Sequence, residues 1–164
     1  MGSITELLTE PELKLLRAGY DPAKMLEDVR EKLEAAWPDA TPLVESVLGG
    51  FYVPVTGRKY RMKPANRERV VLALLANGGG QPFDVSVHFY WGLMEGLTVQ
   101  ELCDVLLLTA SYGGVARYTD NFKLLGYTLA LLKRMAAKGQ PVPCKEVANT
   151  IAAAFPASGV ALPG

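Results

Sequence analysis

His88 is the only histidine among 164 residues, and it stands in the largely apolar run PFDVSVHFYWGLMEGL, residues 82–97. A lone imidazole on such a helix is either a core residue satisfied by a local hydrogen bond or the proton-transfer group of a small site. Asp84 precedes it by four residues, one helical turn away on the same face. From there a carboxylate would reach one ring nitrogen, fix the tautomer and leave the other nitrogen to meet a ligand. That pairing suits a general acid or base. Trp91 follows one turn later, and Phe89, Tyr90 and Trp91 occupy consecutive helical positions that are not expected to face inward together. Phe89 and Trp91 are therefore candidates for a pocket wall or a subunit interface as well as for the core. One histidine and scattered carboxylates do not make a first-row metal site. Cys103 and Cys144 lie far apart with no CxxC spacing, which argues against a disulfide framework, a zinc site or a dithiol redox pair.

The elements that must hold these residues read as helices throughout. Leucines at 7, 8, 13, 15 and 16, with Thr9 and Pro11 as start signals, predict one or two short helices over 6–17. Asp21-Pro22 is a cap followed by a first-turn proline, and Met25, Leu26, Val29, Leu33 and Ala36 repeat at helical spacing up to Trp37-Pro38. Thr41-Pro42 repeats the signal, ending at Gly49-Gly50. The stretch FYVPVTGRKYRMKP, residues 51–64, reads as an irregular connection rather than a hairpin. Asn66 is the expected cap of a helix through Val70, Val71, Leu74 and Leu75 that stops at Asn77-Gly78-Gly79-Gly80. That triple glycine follows a helix and lacks a Lys-Ser/Thr, so it is not a phosphate loop.

Pro82 starts the histidine helix and Gly96 closes it. Thr98 with Glu101 forms a capping box for a helix ending at Tyr112-Gly113-Gly114. A long helix is expected from Thr119 or Asp120, carrying Phe122, Leu125, Leu129, Leu132 and Met135 up to Gly139-Gln140-Pro141. An Ala-rich helix over 145–155 and a loose tail complete the chain. The expected class is all-α, one domain over residues 1–164 with the motif-bearing core at 64–138.

Composition narrows the function. Seventeen Lys+Arg balance 17 Asp+Glu, and no basic run is present to follow a phosphate backbone. Nucleic acid is not an expected partner. Apolar runs such as Val105–Ala110 are far too short to span a bilayer. The opening MGSITELLTE has no signal-peptide pattern, so the expectation is a cytoplasmic protein with no membrane partner. Nearly wholly apolar final helices in a chain of this size suggest a homo-oligomer.

Residues 67–122 resemble the carboxymuconolactone decarboxylase and alkylhydroperoxidase D family. The matching points are Arg67-Glu68 opening an apolar helix, His88 eight residues before Gly96-Leu97-Thr98, Glu101 in the next helix, and Tyr112-x-Gly114 closing it. The resemblance implies an all-α helical-hairpin core assembled into trimers, hexamers or related rings. It also implies departures. The two cysteines of the peroxidase branch fall on Gln81 and Asp84, which removes dithiol peroxide chemistry. The acidic position of that branch falls on Arg69, with Glu68 beside it, and a position usually held by proline is Ala116, followed by Arg117.

A cysteine-free site of this type suits decarboxylation of a lactone or keto acid whose electrons spread into a conjugated carbonyl, which requires no cofactor. The resemblance then implies a small-molecule substrate, with His88 as proton donor oriented by Asp84. Arg69 or Arg117 would hold the substrate's acidic group, and Tyr112 and Trp91 would stand against it. The same equipment serves isomerisation, cyclisation or dehydration of a more hydrophobic carbonyl compound. The remaining alternative is a non-catalytic oligomeric binding protein in which His88 is a packing residue.

Overall fold

The computed structural model describes residues 4, 7–40, 42 and 62–155. The helix expected after Thr41-Pro42 lies outside them except for Pro42, as does nearly all of the connection over 51–64. Seven α-helices are present among the described residues: α1 (Glu10–Ala18), α2 (Pro22–Ala36), α3 (Pro64–Gly78), α4 (Pro82–Met94), α5 (Val99–Gly113), α6 (Val115–Ala136) and α7 (Cys144–Ala154), with a 3-10 turn at Pro38–Ala40. The described fold is all-α, and none of its helices is long and apolar enough to cross a membrane.

Local chemistry explains most of the boundaries. Glu12 accepts from the Thr9 backbone N–H at 2.7 Å to open α1, and Asp21 accepts from Ala23 and Lys24 N–H groups to open α2. At α5 the Glu101 N–H donates to Thr98 Oγ1 at 3.1 Å while Glu101 accepts from the Thr98 N–H at 2.8 Å, the reciprocal capping box. Two starts differ from the sequence expectation. α3 begins at Pro64, with Lys63 rather than Asn66 at its cap. α6 begins at Val115, four residues before Thr119, because a single glycine makes the whole corner. Gly114 adopts φ +92°, a conformation that L side chains rarely adopt, and a new helix follows at once. Thr119 then donates its hydroxyl to the Val115 carbonyl inside the helix instead of capping it.

α4 is the centre of the molecule. It packs against α1, α3, α5, α6 and α7, and every residue from Phe89 to Met94 is buried. Phe89, Tyr90 and Trp91 thus do all face protein, contrary to the expectation from their consecutive positions. An amphipathic helix has an outer face, whereas one enclosed by neighbours on all sides has none. Phe83, Phe89, Tyr90 and Leu93 are fully enclosed, each large apolar side chain contributing about 1.5–3 kcal/mol through burial. The N-terminal helices join this core directly. Tyr20 meets Tyr90 edge to face at 5.9 Å, and the Val142 N–H donates to the Leu15 carbonyl.

Candidate functional site

Along α3 the buried positions are Glu68, Leu72 and Ala76, a stripe at four-residue spacing that faces α4. Its first member is a carboxylate with 0% side-chain exposure. Opposite it, two turns into α4, stands His88. Glu68 Oε2 lies 2.8 Å from His88 Nδ1, and Arg67 Nε donates to Glu68 Oε1 at 3.0 Å. The carboxylate is therefore held on both oxygens, by a guanidinium on one side and an imidazole on the other. Burial of such a charge is tolerated only with partners of this kind. His88 itself keeps 12% of its side chain exposed, so the ring is not sealed in the core. Trp91 packs beside it, with ring centroids 5.2 Å apart.

The partner expected for His88 was Asp84, and the structure corrects that. Asp84 is half-buried one turn away and makes no hydrogen bond to the ring. Its carboxyl is held above the usual aspartate range because burial disfavours its charge, an effect the nearby His88 opposes. The place of orienting carboxylate therefore belongs to Glu68.

Arg69 turns the other way. Its guanidinium donates to Asn66 Oδ1 and pairs with Glu101 on α5, at the surface. The Thr98 backbone N–H, with a smaller contribution from Arg69, holds the Glu101 carboxyl below its ordinary range. One position along a helix rotates a side chain by about 100°, which is why Glu68 points inward and Arg69 outward. Arg117 lies elsewhere, over the turn between α3 and α4 in a cleft that neither His88 nor Glu68 lines. Tyr112, near the end of α5, is 84% exposed. Of the residues singled out in the sequence, the structure brings together His88, Asp84 and Trp91; it does not bring Arg69 to the imidazole.

Among the described residues no group of three or more His, Cys, Asp or Glu side chains could hold a metal ion. Cys144 is buried at the junction of α2 and α7, where its sulfur accepts from the Asp21 N–H at 3.0 Å. Burial raises the Cys103 thiol above its ordinary range, the opposite of what a reactive thiolate needs. Comparisons with protein-family models, with curated proteins and with solved structures found no match.

Proposed function

We propose that the chain is a cofactor-independent lyase of the carboxymuconolactone decarboxylase type, acting on a small carboxylated lactone or keto acid. The observation that carries this is the 2.8 Å contact between the buried Glu68 carboxylate and His88 Nδ1. With Nδ1–H donated to Glu68, Nε2 is the nitrogen that exchanges protons with a substrate. In the proposed step the bond to the departing carboxylate breaks and carbon dioxide leaves. The bonding pair moves through the conjugated system onto the ring carbonyl as a dienolate. His88 protonates the carbon skeleton from Nε2, and the dienolate pair returns to form the new C–H bond. Solvent then restores the proton. The apolar surroundings supplied by α4 favour charge dispersal over localised carboxylate charge.

Self-association is part of the proposal. α3 and α5 run side by side, Arg69 meeting Glu101 near their starts and Asn77 approaching Gly113 near their ends. Their outer surface exposes Val70 and Leu74 beside Leu107, Leu108 and Tyr112. No charged residue occurs over 70–83 or 105–116. A two-fold interface opposes a surface to itself, and an uncharged apolar one does so without like-charge repulsion.

The direct test is carbon dioxide release from a panel of carboxylated lactones and β-keto acids, with His88→Gln as control. Turnover that falls by about 10²–10⁴-fold in the variant, with helicity retained, supports the lyase. Turnover unaffected by His88→Gln, or none on any substrate of this class, rejects it.

A further inference from the structure

Away from the Glu68–His88 pair, a cleft of about 450 Å3 opens where the turn between α3 and α4 faces the first half of α6 and the end of α7. That volume lies in the range of small-molecule sites. Its wall is apolar and aromatic, with Leu124, Tyr127 and Phe155, while its rim carries Arg117, Lys123 and Asp120. None of these three charged side chains forms an ion pair with a described residue. Two cations against one acid leave the rim with a net charge of +1.

The cleft has a fixed floor. Asn121 Nδ2 donates to the Ala76 carbonyl at 3.3 Å and to the Arg117 carbonyl at 2.8 Å, joining α6 to the last turn of α3. Gly79 turns the chain with φ +77°, and Arg117 Nη1 lies 3.7 Å from where a Cβ on that glycine would stand. The guanidinium therefore sits over the turn, at the mouth. The start of α4 opens beside it with no side-chain cap from Gln81, adding the partial positive charge of a helix N-terminus.

We propose that this cleft binds a small amphipathic monocarboxylate, its anionic end on Arg117 and its ring or short acyl body against Leu124, Tyr127 and Phe155. The planar guanidinium matches a carboxylate with two parallel hydrogen bonds. Asp120 on the same rim disfavours a dianion such as a phosphate monoester, and the net charge of +1 is balanced by one negative charge. The aromatic wall gives an apolar body a place out of water.

Titration of the full chain with 4-phenylbutyrate, followed by amide NMR, tests this. Saturable shifts concentrated at Gly79, Gly80, Asn121 and Lys123 are expected. Affinity should fall at least about tenfold in Arg117→Ala, as loss of a charge-assisted hydrogen bond implies, and recover in part in Arg117→Lys. The neutral 4-phenylbutanol should bind more weakly. His88→Gln should bind as the parent does, which separates this site from the proposed lyase centre. Non-saturating shifts, equal affinity in Arg117→Ala, or shifts centred on residues 87–91 would overturn the proposal.

Discussion

Glu68 and His88 meet between α3 and α4 at 2.8 Å, and Arg67 holds the other carboxylate oxygen. The imidazole is oriented by a residue twenty positions away in sequence, not by its helical neighbour Asp84. Replacing Glu68 with Gln keeps the shape and removes the charge. It leaves Arg67 and His88 with a neutral partner whose NH2 group cannot accept. Stability should fall by roughly 1–3 kcal/mol, measured by urea denaturation. On a substrate found as above, kcat should fall on the order of 10²-fold with KM little changed, since the residue positions the acid without touching substrate. A loss of stability with kcat intact would make the pair structural only.

Asp84 gives a pH-dependent prediction. Burial raises its folded-state carboxyl above the ordinary value, so the folded protein binds that proton more tightly than the unfolded chain does. The stabilisation this provides is full below the unfolded aspartate value and is lost as pH rises through the raised one. Asp84→Asn cannot ionise and escapes that loss. The variant's melting temperature relative to the parent should therefore climb from about pH 3.5 to pH 7. A flat or falling difference across that window would show that Asp84 is better accommodated as an anion than its burial implies.

Most helix positions were legible because their signals are local. The capping box at Thr98 and Glu101, the Asp21-Pro22 start and the stop at Gly79 each need only a few neighbouring residues. The candidate site depends on what packs against what. An i, i+4 rule offers Asp84 to His88, but whether the ring turns toward that neighbour or toward α3 is a tertiary choice. One signal for Glu68 was available: it continues the apolar spacing of Leu72 and Ala76, which placed an acid on a buried stripe. The inward position of all three aromatics 89–91 was not legible, because amphipathic reasoning assumes a solvent-facing side that α4 lacks.

The attachment of the N-terminal helices can be tested at one atom. A Cβ on Gly19 would stand 2.0 Å from the Val142 carbonyl oxygen, closer than any real contact. The obstacle is backbone, and Val142 is itself tied by its N–H to Leu15 while Cys144 just beyond it bonds the backbone of Asp21. Neither side can move without breaking those bonds. Gly19→Ala should cost about 1–3 kcal/mol or more, although alanine is ordinarily the better residue beside a helix end. Differential scanning calorimetry showing no loss would mean that α1 and α2 are not seated against this junction.

The uncharged outer face of α3 and α5 makes the last prediction. Leu74 and Leu108 are 67% and 63% exposed, so a charge at either position costs the isolated chain little. In a two-fold assembly each added charge enters the interface twice, once from each copy, and loses water there. Leu74→Glu and Leu108→Glu should each shift sedimentation velocity toward the monomer while leaving the far-ultraviolet circular dichroism unchanged. The double variant should be monomeric at tens of micromolar, a dissociation that needs only a few kcal/mol of added repulsion for a micromolar dimer. If the parent chain already sediments as a monomer, or the variants assemble as it does, this face is not where copies meet.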